Sequence, residues 1–331
     1  LYAYAFYVPE GPQTRIYSSI SWFGNLPLRG LFFIEIIFLV INLGSIALYC
    51  RKYGSLCLDE LCLGNEQLRR RILAFFPNAL TVMNAMMGFL AVFFAYQGQI
   101  REAYLFLIGA AMFDKLDGAL ARKLGLTEPL PEDNDQARKI SLGGILDDVA
   151  DLVSFCIAPA WIFHIVLSAF SDPLIQKIPI ALIAWGFASL GLVRLIYFTL
   201  DKTPIPGFFK GMPTPAAAML SVAPLIIFAQ AVNEASPWTQ FWGIFCCAMM
   251  IFTAILMNLY PIRYLHLGRF MSRHPWFTRL TLLLFVSVFT PYFGHIAVLY
   301  MLLYTLSPFI TWRIDPHIAA RESRTKTAGV H

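Results

Sequence analysis

The sequence predicts an all-α protein, a polytopic bundle of about nine membrane-spanning helices, and three observations carry that prediction. Of the 331 residues, 58% are hydrophobic and only 14% are charged, where a soluble domain carries roughly 25% charged residues. Apolar stretches recur at 30–50, 75–97, 103–124, 143–170, 179–200, 213–233, 238–260, 277–291 and 294–312. Each can cross a hydrocarbon core of ~30 Å, with 277–291 marginal. Charge then alternates between connections. Segments 51–71, 122–142, 201–212, 261–279 and 313–331 hold 19 of the 25 Lys and Arg residues, and the opposite set holds Arg15, Arg29, Arg101 and Lys177. By the positive-inside rule the N-terminus lies outside and the C-terminus in the cytoplasm.

The elements follow in order. Residues 1–29 are aromatic and read as an outside segment at headgroup depth. The chain opens with Leu1 rather than Met, so an unseen N-terminal piece is expected before it; Pro9, Gly11, Pro12 and Pro27 interrupt any cleavable signal at 1–29. The span 30–50 carries only Glu35. Residues 51–73 are polar and basic, with Arg69, Arg70 and Arg71 in a row, and read as a cytoplasmic linker. The six cysteines fall outside the predicted outer loops, so no disulfide framework is implied. Cys57 and Cys62 lack two further ligands for a zinc site. No soluble catalytic domain is evident and no nucleic-acid partner is expected, so any chemistry must come from residues at span ends.

Acids at span ends are the informative feature. At ~100° per residue, Asp114, Asp117, Gly118, Ala121 and Arg122 share one helical face of about 140°. In the next span Gly143, Asp147 and Asp151 follow at i, i+4 and i+8. Two adjacent helices thus offer four carboxylates at matched depth, with small residues that let a ligand approach the backbone. Packed carboxylates repel, and divalent cations relieve that repulsion; an all-oxygen set suits Mg²⁺ or Mn²⁺ rather than zinc. Such sites serve phosphoryl transfer, and Arg122 could pair with the same phosphates. The blander reading pairs the acids with Lys115, Arg122 and Lys123 as interfacial charges. Four acids at helical spacing weigh against it, because intramembrane acids are functional by default. An ion or proton conduit would spread acids through the bilayer depth, and apart from Glu35 there is little else.

Other polar residues divide similarly. Asn78, Thr81 and Asn84 recur at i, i+3 and i+6, with Gly88 a turn later. Either Asn78 caps a helix after Pro77 and the rest make interhelical hydrogen bonds, or they line a ligand pocket. Arg194 lies in an apolar span near its cytoplasmic end; it either snorkels or binds an anion bidentately. Lys210 stands behind it as a second acceptor-site candidate. His164, His266, His274 and His295 are scattered singly and read as structural.

The eight residues Asp114, Asp117, Gly118, Ala121, Arg122, Gly143, Asp147 and Asp151 resemble the signature of the CDP-alcohol phosphotransferase family, D-x2-D-G-x2-A-R…G-x3-D-x3-D. The twenty residues between Arg122 and Gly143, "KLGLTEPLPEDNDQARKISL", are more than the family usually has. "FFPNALTVMNAMMGFLAVFFAYQG", "DDVADLVSFCIAPA" and "FKGMPTPAAA" are similar to stretches of the family's membrane-spanning phosphatidylserine synthases. Tyr197 stands where those enzymes often carry a second arginine. The resemblance implies a six-helix core at 75–265. Before it would come an N-terminal outside segment, an extra helix and a linker (1–74), and after it two helices and a tail (266–331).

The resemblance also implies roles. Asp114, Asp117 and Asp147 would hold two divalent ions, Mg²⁺ or Mn²⁺, that grip the diphosphate of CDP-diacylglycerol. Asp151 would contact metal and act as catalytic base. Gly118, Ala121 and Arg122 would face the CDP moiety, with Gly143, Asn78 and Thr81 as further CDP-binding candidates. The implied reaction transfers a phosphatidyl group to L-serine with release of CMP, at the cytoplasmic face, among membrane lipids, in a chain that forms a homodimer. Three alternatives stay open. Another alcohol could be the acceptor, such as inositol, inositol phosphate or glycerol phosphate. Choline could bind in an aromatic cage of Tyr197, Phe198, Phe208 and Phe209. Or the chain could be a non-catalytic subunit docked through 1–74.

Overall fold

In the computed structural model, residues 28–126, 142–201, 208–266 and 286–311 are described, together with Trp276, Arg279 and Thr281. They fall in two compact units, Leu1–Ile72 and Leu73–His331.

In the first unit, helix α1 (Leu28–Cys62) does not stop where the apolar span ends. It continues into the stretch read as a linker, as far as Cys62. The chain then turns at Leu63 and Gly64, both with positive φ (44° and 79°). Asn65 starts helix α2 (Glu66–Tyr96) by accepting the Leu68 amide on Oδ1 at 3.1 Å, which satisfies one orphan donor of the first turn. Arg69 bridges Asp59 (3.4 Å) and Glu66 (3.6 Å) across the turn. Both pairs are solvent-facing and contribute little.

Asn78 is therefore not a helix cap. Pro77 lies inside α2, where it removes the amide that would have bonded to the Leu73 carbonyl. The Thr81 hydroxyl oxygen lies 3.1 Å from the Pro77 carbonyl. The capping signal read from Pro-Asn belongs instead to Asn65, thirteen residues before Asn78 and hidden in the basic stretch.

The second unit holds α3 (Ile100–Lys123) and α4 (Leu142–Asp151). A π-helical turn, Leu152–Ile157, leads directly into α5 (Ala158–Ser168). Next come α6 (Ile180–Leu200), α7 (Thr214–Asn233), α8 (Thr239–Asn258), α9 (Phe293–Thr305) and the short α10 (Ser307–Thr311). Helix α7 is the axis of the bundle. It packs against α8, α9, α3 and α5, and 67% of its apolar window is buried, against 28% for α2 and α6, whose outer faces are left for lipid. Glycines set the closest approaches. A Cβ on Gly88 of α2 would stand 2.8 Å from the Ser154 Cα, and one on Gly191 of α6 would stand 2.6 Å from the Cys156 Sγ. The π turn is thus clasped between two helices at positions where only glycine fits.

Five helices among the described residues are long and apolar enough to cross a membrane: Glu66–Tyr96, Gly143–Ser168, Ile180–Leu200, Thr214–Asn233 and Thr239–Asn258. The chain is an integral membrane protein of all-α architecture. Within the expected span at 277–291, residues 277, 278, 280 and 282–285 lie outside the described residues, as does most of the long loop after Arg122. One small addition was not foreseen. Strand β1 (Phe208–Lys210) pairs antiparallel with β2 (Arg263–Leu265), Phe209 opposite Tyr264.

Candidate active site

Helix α3 presents Asp114 and Asp117, and α4 presents Asp147 and Asp151, as the shared helical faces require. Carboxylate oxygens of Asp114, Asp117 and Asp147 lie within 4.8 Å of one another. Asp117 is 5% exposed and tightly held. Its Oδ2 accepts the Thr81 hydroxyl at 2.7 Å, and its Oδ1 accepts the backbone amide of Gly118. Asp147 is different: its Oδ1 is buried and has no hydrogen-bond partner. A buried anionic oxygen with no donor is costly, and a hard cation shared with Asp114 and Asp117 removes that cost. Three carboxylates, all oxygen donors, fit a divalent ion of the magnesium or manganese kind.

Asp151 stands apart from that trio but within electrostatic reach of Asp114 and Asp147. Its Oδ1 accepts the Asn84 side-chain amide at 3.1 Å. Asn84 is fully buried, its Oδ1 has no partner, and its backbone carbonyl accepts the Ser154 hydroxyl at 2.8 Å. Asp151 is the last residue before the π turn. Wider turns of this kind recur at functional sites. Helix α2 thus supplies a partner to one acid on each neighbouring helix, Thr81 to Asp117 and Asn84 to Asp151. The periodicity of Asn78, Thr81 and Asn84 was visible in the sequence. That two of the three meet carboxylates was not, because the contact spans two helices.

The remaining candidates take these places. The Asn78 side-chain oxygen lies 3.1 Å from where a Gly143 Cβ would stand, so Asn78 covers the start of α4. The Arg122 guanidinium flanks Gly118 from the next turn, and its charge reaches Asp117. Ala121, partly exposed, leaves the gap between them. Lys115 is exposed. Asp148, adjacent to Asp147, accepts the Thr199 hydroxyl at 3.2 Å and so ties α4 to the end of α6.

At that end of α6 sits a small cavity lined by Arg194, Tyr197, Phe198, Asp201, Phe208, Phe209 and Lys210. Arg194 is 3% exposed; its Nε donates to the Met212 carbonyl at 3.4 Å, and its guanidinium lies 5.5 Å from the Phe198 ring centre. Lys210 pairs with Asp201 at 2.8 Å. Tyr197 stacks on Tyr260 with centroids 3.6 Å apart, and Phe209 stacks on His266. Three of the four aromatic rings proposed for a choline cage, Phe198, Tyr197 and Phe209, are therefore covered by an arginine, a tyrosine and a histidine.

Comparison with known proteins agrees with this geometry. The family model described as CDP-alcohol phosphatidyltransferase matches residues 74–257, which contain all four acids. The chain is 28% identical over 202 residues to a CDP-diacylglycerol–serine O-phosphatidyltransferase of Mycobacterium leprae, covering 59% of this chain and 60% of that protein. It is 30% identical over 148 residues to the enzyme of the same name from Bacillus subtilis, covering 45% of this chain and 73% of that protein. An archaetidylserine synthase of Methanothermobacter thermautotrophicus is 28% identical over 146 residues, covering 43% of this chain and 54% of that protein. The chain thus spans less than two thirds of the length of the mycobacterial and archaeal relatives. The family match covers more than half of the chain, includes the paired aspartate helices and ends at α8: the protein belongs to the CDP-alcohol phosphatidyltransferase family.

Proposed function

We propose that the protein transfers a phosphatidyl group from CDP-diacylglycerol to the hydroxyl of L-serine, giving phosphatidylserine and CMP. The observation that carries this reading is the trio Asp114, Asp117 and Asp147, with an unpartnered buried oxygen on Asp147; a cavity lined by Arg194 and Lys210 at the end of α6 adds the acceptor side. Asp114, Asp117 and Asp147 would hold Mg²⁺ or Mn²⁺, which when bound neutralises diphosphate charge and stabilises the leaving CMP.

The chain's own residues supply the rest. Arg122 pairs with phosphate oxygens at the exit of the site. Gly118 and Ala121 leave room for the nucleotide against α3. Asn84 fixes the Asp151 carboxylate, which takes the proton from the serine hydroxyl. A free hydroxyl is a weak nucleophile and needs such a base. The serine oxygen forms a bond to the lipid-bearing phosphorus, the bond from that phosphorus to the CMP oxygen breaks, and CMP leaves with the electron pair. Arg194, with Lys210 behind it, receives the serine carboxylate.

The cavity chemistry favours serine over choline, since a buried guanidinium beside Phe198 repels a quaternary ammonium. Phosphorylated acceptors call for a cluster of several cations, and the residues lining this cavity include two, Arg194 and Lys210. The charge alternation of the loops supports a cytoplasmic placement of this end of the bundle. The test is purification with CDP-diacylglycerol and Mn²⁺ or Mg²⁺, followed by CMP release with serine, choline, inositol, glycerol 3-phosphate or inositol phosphate. Release with serine alone supports the reading, and release with another alcohol moves the acceptor while keeping the chemistry.

A further inference from the structure

One wall of the α6 cavity is a strand with little support of its own. All three residues of β1, Phe208, Phe209 and Lys210, line the cavity opposite Arg194, Tyr197 and Phe198. A three-residue strand is not stable alone; β1 is held by its pairing with β2, Lys210 opposite Arg263 and Phe209 opposite Tyr264. After β1 the chain is pinned. Gly211 has φ 73° and donates its amide to the Ile262 carbonyl at 2.8 Å, and a Cβ there would stand 2.6 Å from the Met257 carbonyl oxygen.

Strand β2 in turn rests on the C-terminal helices. The Tyr304 hydroxyl of α9 donates to the Leu265 carbonyl at 3.1 Å, and its ring lies 5.8 Å from that of Tyr264, which is 1% exposed. Helix α10 packs on the same strand. Both β2 and α9 lie beyond residue 257, where the family match ends. The cavity wall therefore depends on a part of the chain that the shared region does not include.

We propose that Tyr304 is a positioning residue for the acceptor cavity: it holds β2, and through it β1, so that Lys210 and the two phenylalanines close against Arg194. This rests on the reading of that cavity as the acceptor site. The C-terminal helices then act on acceptor binding while leaving the carboxylate site alone.

The test is Tyr304→Phe in the full chain in detergent, with CMP release measured against serine at saturating CDP-diacylglycerol and Mn²⁺. One lost hydrogen bond predicts a serine KM about three- to tenfold higher, with kcat and the lipid KM nearly unchanged. Amide hydrogen exchange at 208–210 and 263–265 should quicken. Tyr300→Phe, on the same helix, should do neither. An unchanged serine KM for Tyr304→Phe, where Lys210→Ala raises it, overturns the positioning role and leaves the acceptor reading intact. A parallel loss in serine KM, lipid KM and kcat marks a general folding role and also overturns it. If Lys210→Ala and Arg194→Lys both leave the serine KM unchanged, the acceptor reading falls; exchange then decides the clamp itself, faster exchange supporting it and unchanged exchange overturning it.

Discussion

The Asn84 amide donates to the Asp151 carboxylate at 3.1 Å, joining α2 to the last residue before the π turn. Its own oxygen is buried without a partner. A carboxylate held by a single neutral donor keeps lone pairs free for a proton, which is what a general base needs. Asn84→Leu keeps much of the volume and removes the donor. We expect kcat to fall about 10- to 100-fold, as for partners that orient reactive ligands elsewhere, with the lipid KM little changed. Steady-state CMP release checks this, and an unaltered kcat would remove Asn84 from the mechanism.

Thr81 plays the matching part for Asp117, donating at 2.7 Å. Thr81→Val keeps the shape and deletes the hydroxyl. The expected result is a shift of the Mn²⁺ activation curve to about 10- to 100-fold higher concentration. Activity should recover at saturating metal. A loss that metal cannot restore would place Thr81 on the nucleotide instead.

The clasp on the π turn makes a stability prediction with opposite signs on two glycines. Gly88→Ala puts a methyl 2.8 Å from the Ser154 Cα, which is backbone and cannot swing aside. Overpacking of this kind costs about 1–3 kcal/mol. Gly186→Ala, in α6 with nothing within 4 Å of its added carbon, should stabilise by about 0.5–1 kcal/mol through backbone entropy. Thermal unfolding in detergent reads both. Equal shifts for the two variants would show that the close approach at Gly88 does not matter.

Arg194 is buried, bonded to the Met212 carbonyl and set against Phe198. Lysine keeps the charge but not the planar fork or the stacking. Arg194→Lys should raise the serine KM by about tenfold, an interaction of order 1.4 kcal/mol, and leave the lipid KM alone. If the lipid KM rises instead, the arginine serves the diphosphate.

Much of the site could be read from the chain because it follows from one periodicity. Asp114 and Asp117, and Asp147 and Asp151, fall on single faces at 100° per residue, so their meeting needed only adjacent helices. The helical class followed from hydropathy. What escaped depends on contacts between distant segments. Pro77 before Asn78 looks like a helix start, yet α2 had already begun at Glu66, and nothing local distinguishes a proline at a first turn from one tolerated inside a helix. The π turn after Asp151 carries no composition signal; it is fixed by Gly88 and Gly191 pressing on Ser154 and Cys156. The β1–β2 pair is too short to show alternation and is made by residues more than fifty positions apart. Thr81 and Asn84 were visible as a polar stripe, but their partners lie on other helices, Asp117 on α3 and Asp151 on α4.

The central claim is that four acids on α3 and α4 run a metal-assisted transfer to serine, with Asp151 as the base. The measurement that tests it most directly is CMP release from CDP-diacylglycerol by the purified protein and its Asp151→Asn variant, in Mn²⁺ and in excess chelator, with serine and the other alcohols in parallel. The account predicts release with serine and Mn²⁺, loss of release in chelator, and loss in Asp151→Asn. No release with any alcohol, or release that Asp151→Asn leaves unchanged, would contradict it.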